Sequence, residues 1–263
     1  MSEGTTGSER RGPRRRWVRI AVLAVLGAVA VAAAGMLVWA LTPLGPGDAA
    51  LAALASGDGV TVSRTDDGWV FVPDRPDGVL ETGLVFYPGG RVDARSYAPF
   101  ARELARAGHA VVIVEVPLSL AVFEIDAAEG VLAAQDLAAV ERWAVGGHSL
   151  GGAMAATYAA DAPERVDGLL LLAAYATSSA DLRTSGLAVT DVTGSLDGVL
   201  DRENWEAGRA LLPTGAVYVS IEGGNHAQFG DYGPQPGDNE ATIDASDQLR
   251  RAVEAADALL DRL

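Results

Sequence analysis

The sequence predicts an α/β fold: a mostly parallel sheet of about seven or eight strands flanked by helices, preceded by one transmembrane helix. Three observations predict it. Strand-like apolar runs alternate with helical patterns from Gly59 to Leu263. Several of these runs are apolar at every position, as strands covered on both faces should be. A separate stretch, Ile20–Leu41, runs for 22 residues without a charge.

The amino-terminal part divides by composition. Met1–Arg16 is polar and ends in Arg14-Arg15-Arg16, which predicts disorder. Residues 1–19 form a basic tail and residues 20–41 a membrane anchor. At 1.5 Å rise per residue, 22 residues reach about 33 Å, enough for a hydrocarbon core of about 30 Å. Basic residues stay on the cytoplasmic side, so the rest of the chain is expected outside a cell membrane that it crosses once. A cleaved signal peptide is the rival reading, with Ala32-Ala33-Ala34 as a cut site. The apolar run continues past that site to Trp39 and Leu41, which favours an uncleaved anchor. A twin-arginine signal at Arg15-Arg16 is the weaker alternative. Pro and Gly mark residues 42–58 as a linker, and residues 59–263 form the α/β domain.

Composition excludes several functions. The chain has 20 basic and 35 acidic residues and a net charge of −15, and every basic residue is arginine. Six arginines and two glutamates precede Ile20, so the remainder holds 14 basic and 33 acidic residues. Such a domain repels phosphate backbones, so no nucleic-acid partner is expected. Without cysteine there is no disulfide, thiolate metal site or cysteine nucleophile. No metal and no cofactor is expected.

Taken in order, Ala49–Ser56 reads as one or two helical turns. Gly59–Ser63 and Gly68–Pro73 alternate like paired strands about the turn Thr65-Asp66-Asp67-Gly68. Leu84–Tyr87 is a buried strand ended by Pro88-Gly89-Gly90. Ser96–Ala107 has helical spacing, and Gly108 stops it. Ala110–Val116 is a strand, and Glu129–Val140 a helix. Trp143–Val145 ends the strand before Ser149, and Ala153–Ala160 is a small-residue helix. Val166–Ala173, Leu187–Val192 and Ala216–Ile221 are strands. Glu203–Leu211 and Ile243–Leu260 are helices.

The chemistry gathers where strands end, which in such sheets is where sites form. Gly147-His148-Ser149-Leu150-Gly151 sits between a strand and a helix, the context of a nucleophile elbow. A serine hydroxyl is a weak nucleophile, so it must sit on a tight turn within reach of a base. Gly147 and Gly151 allow the close backbone approach that this turn needs. The base is narrowed to one of three histidines. His109 precedes a strand, on the wrong side of the sheet, and reads as structural. His148 adjoins the nucleophile and reads as packing in the elbow. His226 follows the last strand in a Gly-rich loop. Asp197 follows Val192 on a turn, where it can orient His226, with Asp191, Glu222 and Asp231 as rivals. The chain order is Ser, Asp, His.

With these residues in place, the chain resembles α/β-hydrolase-fold proteins over roughly residues 60–263. Val85–Asp93, Gly147–Gly152 and Gly224–Gly230 resemble a bacterial branch of membrane-anchored or secreted members without a settled substrate. The resemblance implies Ser149 as nucleophile, His226 as base and Asp197 as acid. It implies an oxyanion hole made by the Leu150 amide and one from Gly90 or Arg91. The usual His-Gly after the third strand is Pro88-Gly89 here, which leaves open the choice between those two. About a dozen residues separate the Leu169–Ala174 and Leu187–Val192 strands, too few for the cap domain that many relatives insert. Residues 227–242, with Phe229, Tyr232 and Pro234, are expected to wall the pocket instead.

The expected activity is hydrolysis of a carboxylic ester, thioester or related acyl bond on a small-molecule substrate, through an acyl-enzyme. Acyl transfer to another acceptor, and a non-catalytic membrane-tethered binding domain, are the alternatives. Epoxide or dehalogenase chemistry is disfavoured because the relatives that perform it carry aspartate at the position of Ser149.

Overall fold

A computed structural model of the protein describes residues 13–74 and 80–263. The chain forms two units, residues 1–42 and Pro43–Leu263. In the first, α1 (Pro13–Leu41) is one continuous helix of 29 residues. Its segment Arg16–Trp39 is long and apolar enough to cross a membrane. The proline stands in the first turn, where its missing N–H costs nothing. The helix thus begins within the basic cluster, three residues before the expected polar tail ends. The rest of that tail, residues 1–12, lies outside the described residues.

The second unit opens with α2 (Asp48–Ala53), followed by the hairpin of β1 (Val60–Arg64) and β2 (Gly68–Pro73). Thr65 N–H donates to the Gly68 carbonyl at 2.9 Å, closing the expected turn. Then come β3 (Leu80–Tyr87), α3 (Ala98–Ala107), β4 (Ala110–Val114), α4 (Ala128–Ala133), β5 (Val140–His148) and α5 (Leu150–Asp161). The carboxyl half adds β6 (Gly168–Leu172), β7 (Ala188–Gly194), α6 (Arg202–Arg209), β8 (Val217–Ile221) and α7 (Ala245–Leu260). The eight strands form one sheet in the order β1-β2-β4-β3-β5-β6-β7-β8. The β1–β2 and β2–β4 pairs are antiparallel, and every later pair is parallel.

The pleat explains the continuous apolar runs. Along β3, Leu84 and Phe86 enter the core layer that holds Phe100, Leu104 and Leu259 from α3 and α7. Val85 and Tyr87 enter the opposite layer, with Ala155 and Tyr158 from α5. Alternate residues thus face two apolar layers, so no polar face remains. The connection 173–187 between β6 and β7 contains no helix or strand, so no cap domain stands there.

Two segments differ from expectation. The single helix expected over 129–140 is the short α4 and a 3₁₀ turn at Gln135–Leu137, because Ala134 leaves the helical region (φ −66°, ψ 127°). The expected linker is fastened to the domain. Leu44 N–H donates to the Arg91 carbonyl at 2.7 Å, and the Leu44 carbonyl accepts from Asp93 N–H at 2.9 Å. Gly47 N–H donates to the Asp231 carbonyl at 2.7 Å. At its far end Arg102 donates to the carbonyls of Ala53, Ala55 and Gly57. Its cation caps the end of α2, where free carbonyls collect.

Candidate active site

Ser149 stands between β5 and α5 with φ 54° and ψ −124°. A non-glycine residue rarely adopts such a backbone, and the surroundings must enforce it. Ser149 N–H donates to the Leu172 carbonyl at 2.9 Å, tying the turn to β6. A Cβ on Gly147 would stand 2.6 Å from the Gly151 carbonyl carbon, and one on Gly151 would strike the carbonyls of Tyr87 and Pro88. Only glycine at both positions lets β5, α5 and the end of β3 approach this closely.

His226 leaves β8 through Glu222-Gly223-Gly224-Asn225 and is buried, with 1% of its surface exposed. Its Nδ1 lies 2.8 Å from Asp197 Oδ2. The other oxygen, Oδ1, accepts from Val199 N–H at 2.9 Å and Leu200 N–H at 2.7 Å. Burial pushes the Asp197 carboxyl up, but the His226 bond and charge and those two amides outweigh it and hold it below its ordinary value. An ionised carboxylate only accepts, so Nδ1 carries the proton and Nε2 keeps a lone pair. That Nε2 is buried without a hydrogen-bond partner among the described residues.

Ser149 and His226 line one cavity of about 320 Å³, together with Leu150, Met154, Tyr175 and Thr177 and the turn Val199–Asp201. No hydrogen bond joins the two side chains. Such bonds are commonly long in an empty site and tighten around substrate. Of the sequence-chosen residues, Asp197 and His226 are thus bonded, and Ser149 shares a cavity with His226.

The amides near Ser149 differ in availability. Arg91 N–H donates to the Ser119 carbonyl at 2.7 Å. Leu150 N–H and Gly90 N–H donate to no group among the described residues. The two residues adjoin: a Cβ on Gly90 would stand 3.0 Å from the Leu150 side chain.

The rivals of Asp197 have other partners. Asp191 accepts from Trp205 Nε1 at 2.8 Å, and burial pushes its carboxyl up to about 7. Asp231 Oδ2 accepts from Ala50 N–H at 2.7 Å, at the start of α2. Glu222 is exposed. His109 bridges Thr82 and Asp257, at the amino end of β4. With Asp257 and Asp261 it forms the one group among the described residues whose ligand atoms lie close enough for a metal. That group stands at the opposite end of the strands from Ser149.

Two arrangements escaped the sequence reading. The first is a histidine pair. The His148 ring lies 4.5 Å from that of His226, centroid to centroid. It is fully buried, and burial first, then the His226 charge, holds it well below the ordinary imidazole value. Tyr97 joins it: the hydroxyl accepts from Gly89 N–H at 3.0 Å and shares a hydrogen bond with His148 Nδ1 at 2.9 Å. No signal in the sequence pairs Tyr97 with His148, 51 residues away. The second concerns the wall. Phe229 and Tyr232 do not line the Ser149 cavity; they pack behind it, with ring centroids 5.7 and 6.3 Å from His148. Pro234 lines a different cavity. The wall comes instead from residues after β6 and from the turn that holds Asp197.

The sequence profile described as the alpha/beta hydrolase family matches residues 83–250. The chain belongs to the alpha/beta hydrolase family. Solved structures share the fold. A dienelactone hydrolase from Anabaena variabilis superposes with a TM-score of 0.58 at 18% identity, over 77% of this chain and 99% of its own. An esterase from Thermogutta terrifontis gives 0.55 at 14% identity, over 82% and 94%. Carboxyl esterase 2 from Tuber melanosporum gives 0.53 at 14%, over 77% and 87%. No curated protein matches the sequence. The family makes the protein an alpha/beta hydrolase, and the likeness to these structures shows the same fold.

Proposed function

We propose that the protein is a serine hydrolase that cleaves a carboxylic ester, thioester or related acyl bond through an acyl-enzyme on Ser149. The observation that carries this reading is the Asp197–His226 hydrogen bond of 2.8 Å, which leaves the bare His226 Nε2 at a cavity shared with Ser149. His226 takes the hydroxyl proton as Ser149 Oγ attacks the acyl carbon. The leaving alcohol or thiol departs with that proton. Water, activated by the same imidazole, then attacks the acyl-enzyme and releases the acid and free Ser149. The anionic Asp197 fixes the tautomer and steadies the imidazolium.

The oxyanion is held by Leu150 N–H and Gly90 N–H. Arg91 drops out of that role because Ser119 takes its amide. The free amides at the start of α5 add the positive end of the helix dipole.

In this reading α1 is an uncleaved single-pass anchor, and the hydrolase unit lies on the extracytoplasmic side. The basic residues that precede the apolar segment support that orientation.

The test is a panel of p-nitrophenyl esters of graded acyl length, offered to the full chain in detergent. Wild type should turn over at least one of them, and Ser149→Ala should lose at least about 10⁴-fold in kcat. Equal turnover by the two proteins contradicts the reading.

A further inference from the structure

The folded unit leaves few large apolar side chains exposed. Among the described residues they are Leu51, Leu118, Val122, Phe123, Val217 and Tyr218. Three of the six lie on one uncharged loop, residues 117–123, between β4 and α4. Phe123 is 60% exposed. Clustered apolar exposure of this kind marks an interaction site more often than it marks chance. The loop is built rather than slack. Leu118 and Ser119 both hold left-handed backbones, φ 57° and 53°, and Ala121 is fully buried as its anchor. The Ser119 carbonyl takes the Arg91 amide, and Leu120 reaches to 3.8 Å from where a Gly90 Cβ would stand. The exposed side chains therefore flank the Gly90 segment.

The residue bonded to that same segment follows the apolar helix closely in sequence. Leu44, bonded to Arg91 and Asp93, follows Leu41 by three residues. Three peptide steps reach about 11 Å at full extension. Charge narrows the partner. With 14 basic against 33 acidic residues after Arg19, the unit gains nothing from anionic headgroups, so contact must be apolar.

We propose that loop 117–123 docks on the bilayer that holds α1, inserting Val122 and Phe123, so that the adjacent Ser149 site takes acyl esters carried in the membrane. This rests on the anchor and hydrolase readings above. The substrate class follows: an amphiphile delivered from the lipid phase rather than a soluble ester.

The chain has no cysteine, so one introduced thiol is a unique label. Full-length Phe123→Cys and, as control, Glu164→Cys on the exposed turn after α5 carry an environment-sensitive fluorophore in phosphatidylcholine vesicles. Doxyl lipids should quench position 123 at least threefold more than position 164. Equal quenching in protein that floats with the vesicles overturns the docking. Protein that does not float overturns the anchor reading and the docking with it. As a second arm, Val122→Ser/Phe123→Ser should lose at least fivefold on a vesicle-borne long-chain ester and stay within twofold on a soluble short-chain ester. Equal effects on both overturn the substrate class. Quenching without any ester turnover by wild type leaves the docking standing and removes the hydrolase reading.

Discussion

Asp197 and His226 meet at 2.8 Å through Oδ2 and Nδ1, while Nε2 on the far side of the same ring has no partner among the described residues. One hydrogen bond thus settles which nitrogen is bare. Asp197→Asn should keep the fold, because the amide oxygen can still accept from Val199 and Leu200. It should also favour the wrong tautomer and lower kcat by about 10⁴. Steady-state kinetics beside an unchanged circular dichroism spectrum check this.

The same carboxylate makes stability depend on pH. Its folded value lies below its unfolded one, so its contribution is present above the unfolded value and is lost as pH falls through the folded one. The stability gap between wild type and Asp197→Asn should therefore close in acid. Urea unfolding at pH 7 and pH 3 reads the difference.

Asp191 has the opposite sign. Its carboxyl is pushed up to about 7 by burial. A raised value favours the folded state below the unfolded value of an aspartate, and that contribution fades as pH rises toward 7. Asparagine keeps an acceptor for Trp205 without the buried charge. Asp191→Asn should thus be more stable than wild type by about 3 kcal/mol at pH 8 and nearly equal to it at pH 4. Thermal melts at the two pH values check it.

Tyr97→Phe should cost about 2–3 kcal/mol, because it strands the buried Gly89 N–H and His148 Nδ1 together. Denaturant titration measures the loss.

Gly90→Ala places a Cβ 3.0 Å from the Leu150 side chain. The neighbours must yield by a few tenths of an ångström, which misaligns the two free amides. A fall of about tenfold in kcat, with a smaller change in KM, is the expected signature.

The sequence disclosed most where local chemistry and tertiary need coincide. The tight turn at Ser149 was legible because Gly147 and Gly151 record a backbone crowding that only glycine tolerates. The family assignment follows the same pattern, and the sheet was legible because both faces of its inner strands are covered. Other features depend on contacts that no local pattern carries. Pro and Gly between Thr42 and Asp48 signal a linker, yet the bonds from Leu44 and Gly47 reach residues far along the chain. Tyr97 shows the spacing of a helix face, and its hydroxyl bond to His148 leaves no trace in that spacing. The difference between the Gly90 and Arg91 amides depends on Ser119, a loop residue with no motif around it.

The most direct measurement is active-site labelling of the full chain with a fluorophosphonate, followed by peptide mass spectrometry. The account expects a single covalent adduct on Ser149, slowed at least 10³-fold in His226→Ala and absent in Ser149→Ala. A folded, unlabelled wild-type protein, or an adduct on a different residue, would contradict it.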